Sequence, residues 1–567
     1  MTAMVAVPVT LRLSDAQLAR AARKQRARDA LPPYAEPKRK RVVPGRRPAN
    51  AVPSQKAIEQ CLELIDAVPE VEVYDRLLDH DSGFLCQARV RTALVGIALV
   101  QLMGLAKADF TVVIAVLRAL PKRYQRRLGV IDAHDHVLTY RQLTYRVQRL
   151  RELLDPDYKR RKMNKNNKSS SSDETFTWLA NRLVARHLEL NGIDLARVTE
   201  GAFDSSTVET PAAVQIDESL PEDADRRWTK DPEAGPAHRP AKNGQRSGTA
   251  IGYDLQFLCQ TQGDGLDGKR RPGVITTFQL KYPNKGGRTY LQLLDRAVEH
   301  GVKIRRVRGD KGISALVTDY EGGNFHEGLA KRGVQMVHPL RDWRRAPAPD
   351  YRGAVWCDTS LACPCSAQVR SEPPPLHRTG KPKNLALQLA ERYDRRAKFF
   401  FAERQRSRVR GGGCRLECPA RRGKVRCPLV PKSMRLPSDK YDTAQPPENM
   451  RTRKQIAEIA AVDPVAAAKL VPAPPCCEQE TITLRASVEP GRYQAIPYGT
   501  TAWYQVYHQR EHAESAYAAL KCNFNSLRRG SYRHFGRAIP TLFVAFMVIW
   551  VNQKILDSFD ERHQTGG

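Results

Sequence analysis

The sequence predicts a mixed α/β fold with an all-α N-terminal domain and a cysteine-rich β insertion. Helical periodicity runs through residues 57–158, and alternating apolar residues between about 198 and 285 indicate successive strands. Strands then alternate with helices up to residue 344. Because the chain has 567 residues, it can form several domains. We therefore expect a mixed sheet, covered by helices, as the central core.

The first segment, residues 1–56, is rich in Arg, Lys, Pro and Ala and predicts a disordered basic arm that contacts phosphates without sequence preference. The whole chain carries 93 basic and 61 acidic side chains, a net charge of +32. An excess of this size indicates a polyanionic partner, and nucleic acid is the first expectation. A membrane surface is the competing partner, but no long basic amphipathic helix is evident.

Residues 57–158 contain several apolar helical segments, among them KAIEQCLELIDAVPE and VRTALVGIALVQLMGLA. Their basic outer faces favour a DNA-binding or scaffolding domain. The alternative is a helical domain that only packs, because no recognition helix can be identified. Residues 159–174 (KRRKMNKNNKSSSSDE) are polar and of low complexity, which is typical of a linker.

Residues 175–344 begin with a helix and continue with the predicted strands ARVTEGAFDSSTV, TAIGYDLQFLCQT and PGVITTFQL. A helix (YLQLLDRAVEHG), a strand (VKIRRVRGD) and a further helix and strand follow. Antiparallel strands followed by strands that alternate with helices are the order of an RNase H-like mixed sheet. Residues 491–567 return to helix and complete that core.

No targeting or membrane segment is predicted. The N-terminus lacks the basic start, apolar run and cleavage site of a signal peptide. The most apolar stretch, from Leu542 to Val551, is shorter than the ~20 residues that cross a bilayer, and we predict a buried helix there. A cytoplasmic protein with thiols rather than disulfides follows.

Near the C-terminus, YQVYHQREHAESAYAALK places four residues on one side of a predicted helix: Tyr507, Arg510, Glu514 and Lys521. At ~100° per residue these side chains share one narrow stripe. An aromatic ring, two cations and a carboxylate suit a phosphodiester and a divalent metal better than a core. The alternative is that Arg510 and Glu514 form an exposed ion pair worth a few tenths of a kcal/mol.

Two upstream carboxylates have settings that suit a metal. Asp204 lies in EGAFDSSTVET, where an apolar strand gives way to small hydroxyl residues, and the alternative is an Asp that begins a turn. Asp217 is its nearest competitor, in an acidic loop without a strand. Asp310 follows the strand VKIRRVRGD and Gly309, which permits close backbone approach; its alternative role is to cap the next helix.

The spacing Y-x2-R-x3-E-x6-K resembles the signature of insertion-sequence transposases in the DDE superfamily, and the resemblance covers most of residues 60 to 555. It implies an RNase H-like catalytic core in which Asp204, Asp310 and Glu514 hold two Mg²⁺ (or Mn²⁺) ions. It also implies that Arg510 and Lys521 clamp phosphates near the scissile bond and that Tyr507 contacts phosphate or sugar. A β-rich insertion before the glutamate is typical of that family, which fits the long gap after Asp310.

The resemblance implies a DNA transposase that cuts element ends and joins the 3′-OH to target DNA. Its partners would be double-stranded DNA, namely terminal inverted repeats and target, with a homodimer on DNA and a nucleoid location. Two alternatives stay open: a transposase-derived DNA-binding protein without catalysis, and a metal-dependent nuclease without strand transfer.

Residues 345–490 form the predicted insertion, which is rich in Pro, Arg, Gly and Cys. Such a segment, short of core residues, gains stability from a structural Zn²⁺ held by thiolates. The candidate zinc ligands are Cys357, Cys363, Cys365, Cys414, Cys418 and Cys427. Their spacings do not include a strict C-x2-C pair, so incidental free thiols are the alternative.

Overall fold

The computed structural model describes most of the chain after residue 51. The described residues are 52–80, 88–105, 109–155, 174–211, 214–216, 227–229, 231, 233–239, 248–261, 271–283, 287–314, 324–340, 350–366, 383–405, 413–489, 491–524, 527, 534 and 536–564. The predicted basic arm and polar linker therefore lie almost entirely outside the described residues, as does the competing Asp217.

Helices make up the described residues before the sheet. They are α1 (Gln55–Asp66), α2 (Glu70–His80), α3 (Val90–Leu102), α4 (Phe110–Arg118), α5 (Lys122–Arg127), α6 (Tyr140–Leu154) and α7 (Glu174–Leu190). Side chains define their starts. Ser54 accepts from the Ala57 N–H at α1, and Thr139 and Gln142 form a reciprocal capping box at α6.

The central sheet is mixed. Its strands are β1 (Glu200–Glu209), β4 (Gly235–Arg239), β5 (Gly248–Gln260), β6 (Ile275–Lys281), β7 (Arg306–Arg308) and β8 (Gln335–Val337), and a small separate hairpin pairs β2 (Val214–Ile216) with β3 (Arg227–Thr229). The strands run in the order β4-β5-β1-β7-β8, and β6 also pairs with β5. Pairing of β1 with β5 and of β5 with β6 is antiparallel, whereas β7 is parallel to both β1 and β8. The mixed α/β class predicted from the sequence is confirmed.

The later helices of this region are α8 (Gly287–Glu299), α9 (Lys311–Ser314) and α10 (Phe325–Lys331), followed by α15 (Thr501–His508), α16 (Glu511–Phe524) and α17 (Ala538–Gln564) at the C-terminus. Helix α8 packs on β5 and β6, and α16 packs on β1 and β5. The sheet is therefore covered where its strands are most apolar.

One continuous hydrophobic core joins the N-terminal helices, the sheet and α17. Helix α17 contacts α3, α7 and β6, and its residues from Leu542 to Val551 are all buried, as the sequence predicts. Among the described residues, α17 is the one helix whose length and apolar composition would allow it to cross a membrane. However, 83% of its most apolar 18-residue stretch is buried inside the protein. That burial is typical of the core helix of a soluble protein.

The insertion has a second core, surrounded by short elements and long turns. Its elements are β9 (Val355–Cys357), β10 (Ser360–Ala362), α11 (Lys383–Ala397), β11 (Ala402–Gln405), β12 (Gly413–Glu417), β13 (Met450–Arg451), α12 (Arg453–Ala460), α13 (Pro464–Ala468), β14 (Val471–Pro472), α14 (Pro475–Glu478) and β15 (Thr481–Arg485). Strands β11, β12 and β15 form one antiparallel sheet.

Candidate active site

Asp204 lies in the middle strand of the sheet, on the face that α16 covers. Its partner across the β1–β5 ladder is Phe257, whose ring stacks on Tyr517 of α16 with 6.3 Å between centroids. Residues opposite each other in a ladder share a face, so the Asp204 carboxylate points toward α16. The N–H of Ser205 donates to its Oδ1 at 2.8 Å.

Asp310 lies beside Asp204 because β7 is the parallel neighbour of β1. Ala202 pairs with Arg308, and each aspartate follows two residues later on its own chain. Its Oδ1 accepts a hydrogen bond from the Ile313 N–H at 2.7 Å, so Asp310 also caps the short helix α9. Asp310 can cap α9 and also bind a cation, because an ionised carboxylate can accept several bonds.

Gly309, before Asp310, is packed too closely for a side chain. A Cβ at this position would lie 2.3 Å from the Met336 Cε on the neighbouring strand. This agrees with the close approach expected from the sequence.

The predicted signature helix is two helices, and the single-helix expectation is wrong. Helix α15 ends at His508 and α16 begins at Glu511. The break arises because the buried Arg308 guanidinium donates from Nε to the Val506 carbonyl at 2.7 Å and from Nη2 to Gln509 Oε1 at 3.0 Å. The turn leaves Arg510 between the two helices.

Three of the four signature residues are in contact around this turn. Arg510 forms an ion pair with Glu514 at 2.7 Å, and its guanidinium lies 5.6 Å from the centre of the Tyr507 ring. The Glu514 side chain is 52% exposed whereas that of Arg510 is 20% exposed, so the pair opens toward solvent on the glutamate side. Lys521 belongs to α16, but its side chain lies outside the described residues.

Asp310 and Glu514 both act electrostatically on Asp204. The pKa of Asp204 is raised to about 6, chiefly by burial and also by the charges of Asp310 and Glu514, against the opposing effects of the Ser205 N–H and Arg510. Burial also raises the pKa of Tyr507, with Arg510 opposing and both Asp310 and Glu514 adding to the shift. Excess negative charge at a half-buried position is the electrostatic condition for binding a cation.

One acidic residue near the site was not predicted. Asp254 of β5 lies on the other face of the sheet, in the register position opposite Thr207, and accepts a hydrogen bond from Gln256 at 2.8 Å. Burial raises its pKa to about 6, and the charge of Asp204 adds to the shift. The alternating polar positions of GYDLQF were the available signal, since Asp254 and Gln256 face the same side.

In the described part of the chain, no group of three or more His, Cys, Asp or Glu side chains lies close enough together to hold a metal in its present rotamers. The carboxylates nevertheless fit Mg²⁺ in their chemistry, because they supply hard oxygen donors from within β1, from two residues beyond the end of β7 and from α16.

The predicted zinc ligands separate into two sets. Cys357 accepts a hydrogen bond from Arg396 Nη2 at 2.5 Å, and Cys414 lines a cavity with His326 and Leu484. All six belong to the insertion core, but Cys363, Cys365, Cys418 and Cys427 also interact with one another there and with two cysteines outside the predicted set, Cys476 and Cys477.

Comparisons with protein-family models, curated proteins and solved structures find no match to this chain. The functional argument therefore depends on the site itself.

Proposed function

We propose that this protein is a DDE transposase that cuts the ends of a DNA element by metal-dependent phosphodiester hydrolysis and joins the 3′-OH to target DNA. The observation that supports it is that Asp310 and Glu514, which come from separate elements, both act electrostatically on Asp204 and on Tyr507. If Arg510 and Glu514 formed only an ordinary surface ion pair, that pair would not need the nearby carboxylates of Asp204 and Asp310, which the central sheet positions.

The proposal includes an RNase H-like catalytic core. It is supported by the order of the sheet, in which four antiparallel strands come first and two parallel strands follow through helices. In this arrangement the first and second carboxylates come from adjacent parallel strands and the third comes from a later helix.

Asp204, Asp310 and Glu514 would hold two Mg²⁺ or Mn²⁺ ions, which when bound stabilise charge on the attacking and leaving oxygens. Arg510 would leave its ion pair with Glu514 to bind a phosphate through two N–H groups. Tyr507 would contact the same phosphate or its sugar, and Lys521 would add a point charge. The buried faces of β1 and α16 would limit water around Asp204.

The partner in this proposal is double-stranded DNA, both the terminal repeats and the target. A net charge of +32 supports it, because phosphate neutralisation provides most of the affinity for DNA. Joining two ends requires two active sites, so a homodimer on DNA and a cytoplasmic, nucleoid-associated location belong to the same proposal.

The test is an assay of Mg²⁺-dependent cleavage and joining on DNA that carries the sequences flanking the gene. Wild type is compared with Glu514→Gln and with Glu511→Gln. Glu511 is a matched control, since it is an exposed glutamate on the same helix that pairs with His508 at 3.1 Å. We expect Glu514→Gln to lose at least about 100-fold in cleavage and to keep DNA binding, while Glu511→Gln stays near wild type.

Equal activity in Glu514→Gln and wild type would remove Glu514 from the site and contradict the proposal. Binding without cleavage in the wild type would favour the non-catalytic DNA-binding alternative. Cleavage without joined products would favour the nuclease.

A further inference from the structure

The insertion contains a group of thiols that the proposed DNA chemistry does not use. Eight cysteines lie in its core. Six of these also interact with one another, by hydrogen bonds or electrostatically, and none of the six is more than 4% exposed. They are Cys363, Cys365, Cys418, Cys427, Cys476 and Cys477. All six are free thiols. Buried cysteines can serve as small apolar side chains, so burial alone does not imply a ligand.

The backbone around three of these thiols has a feature that simple packing does not require. Cys363, Cys418 and Cys427 are each followed by proline, and backbone N–H groups two or three residues later donate to each sulfur. The donors are Cys365 to Cys363, Ala420 and Arg421 to Cys418, and Leu429 and Val430 to Cys427. Such N–H···S bonds fix the direction of each sulfur, as the outer-shell hydrogen bonds of a metal ligand do.

Four of the thiols form a closed ring of neighbours. Cys363 shares a side-chain hydrogen bond with Cys365 and lies within electrostatic range of Cys418. Cys427 lies within electrostatic range of both Cys365 and Cys418. Each member therefore has two others beside it, which is the topology of four ligands around one centre. Cys477 also shares a side-chain hydrogen bond with Cys365, and Cys476 acts electrostatically on Cys418, so this pair, with its own sulfurs 3.9 Å apart, adjoins the ring. The four ring members are the set that contains all three sulfurs with backbone N–H donors.

We propose that Cys363, Cys365, Cys418 and Cys427 bind one structural Zn²⁺ as a four-thiolate site. Tetrahedral Zn²⁺ takes such a set at about 2.3 Å per Zn–S bond, and rotation of the four side chains about χ1 would bring the sulfurs inward. Binding releases the thiol protons to solvent, and the metal takes four Zn–S bonds in their place.

The charge around the ring is suited to this site. Four thiolates and one Zn²⁺ carry a net charge of −2, and Arg421 lies within electrostatic range of Cys418. The Nη2 of Arg421 donates hydrogen bonds to the carbonyl oxygens of Cys477 and Glu478, at 3.3 and 3.1 Å. The guanidinium is thus fixed next to the centre. Cys357 is excluded, because Arg396 and Asp358 surround it instead.

The location explains why a metal is useful there. The three-stranded sheet of the insertion is short, and much of the chain between β12 and α12 is turns. A segment with so little regular structure gains a cross-link between distant parts of the chain when one ion holds residues 363 to 427 together.

The experiment uses untagged full-length protein, purified without chelator and without added zinc. Metal content is measured by plasma mass spectrometry, and Zn²⁺ is then exchanged for Co²⁺ to record absorption. We expect about one zinc per chain and, after exchange, the thiolate-to-cobalt charge-transfer bands of a tetrahedral sulfur site. Cys418→Ser should hold less than a fifth of the wild-type zinc, whereas Cys357→Ser, the matched control in the same insertion, should keep it.

Wild-type protein with neither zinc nor uptake of Co²⁺ would overturn the proposal, and this result does not depend on whether any variant folds. Iron with sulfide in place of zinc would overturn it as well. Equal metal loss in Cys418→Ser and Cys357→Ser would refute the ligand set. None of these results depends on DNA cleavage, so the zinc site and the proposed transposase activity can fail separately.

Discussion

Arg308 donates a hydrogen bond from Nε to the Val506 carbonyl oxygen at 2.7 Å, across 198 residues of sequence. In a continuous helix that carbonyl would accept from the Arg510 N–H. The Arg510 N–H bonds instead to Tyr507 O at 3.0 Å, so the helix ends and a new one begins. Because Arg308 lies two residues before Asp310, one strand end positions both the second carboxylate and the turn that carries Arg510.

Replacing Arg308 with Met should destabilise the protein by about 3–5 kcal/mol, the usual loss when one partner of a buried ion pair is removed. Arg308 is fully buried and forms an ion pair with Glu200 at 2.9 Å. The variant would also free the Val506 carbonyl, so α15 should extend into α16. Thermal unfolding measures the first effect, and slower hydrogen exchange at the Arg510 amide, which would gain the Val506 carbonyl as its helical acceptor, reports the second.

Arg306→Met is the matched control for this prediction. Arg306 also pairs with Glu200, at 3.2 Å, but its side chain is 19% exposed and it belongs to the same strand. Arg306→Met should therefore lower the stability less than Arg308→Met does, and it should leave hydrogen exchange at the Arg510 amide unchanged. Equal changes in both variants would mean that the loss of a cationic partner for Glu200, rather than the loss of the bond to Val506, determines the effect.

Asp204→Asn should stabilise the metal-free protein at pH 7.5 by up to about 2 kcal/mol while abolishing DNA cleavage. The reason is that burial and the nearby carboxylates raise the pKa of Asp204 to about 6, so the ionised form is disfavoured in the folded state. Thermal unfolding in EDTA compares the variant with wild type.

The pH dependence of this difference tests its cause. A carboxyl with a raised pKa in the folded state favours folding more as the pH falls from about 6 toward its unfolded value of 3.8. The advantage of Asn over Asp should therefore shrink across that window. A constant advantage between pH 7.5 and 4.5 would show that ionisation of Asp204 is not its source.

The sequence was sufficient for the main strands, because their segments are rich in apolar and β-branched residues. The predicted segment TAIGYDLQFLCQT covers β5 except Gly248, and the two parallel strands follow their helices as expected. Asp204 and Asp310 could also be selected in advance, since apolar strand residues precede each of them, although Asp204 lies within β1 rather than at its end. Patterns of this kind are local, so they can be read from the sequence even where a strand such as β6 is buried along its whole length.

Features that depend on distant contacts could not be predicted. The break after His508 needs a guanidinium from a strand about 200 residues earlier in the chain, and no local residue there is a helix breaker. The thiol ring is similar, because Cys365 and Cys427 become neighbours only through folding. Periodicity also gave no sign that the N-terminal helices share a core with the sheet.

Trp503→Ala should destabilise the protein by about 3–5 kcal/mol and lower DNA cleavage, whereas Trp503→Phe should have a smaller effect on both. Trp503 is 3% exposed, so stacking on a DNA base is closed to it in this conformation. Its ring stacks on Tyr507 with 4.6 Å between centroids, and its Nε1 donates to Gln494 at 3.1 Å. Urea unfolding and the cleavage assay measure the two effects; unchanged stability in Trp503→Ala would contradict the packing role.

A buried histidine far from the site should make the protein sensitive to acid. His187 of α7 is 5% exposed and lies edge-on to Trp550 of α17, 6.4 Å between centroids. Burial lowers its pKa to about 4, although Asp557 opposes the shift. The unfolded chain takes up a proton at this residue below about pH 6.5, and the folded chain does so only near pH 4. Stability is therefore lost as the pH falls between these values, by about 2 kcal/mol at pH 5.

His187→Gln should remove this part of the pH dependence of thermal unfolding, while His134→Gln, at an exposed position, should leave it intact. Identical pH profiles for wild type and His187→Gln would show that the imidazole is already protonated, or already exposed, in the folded protein.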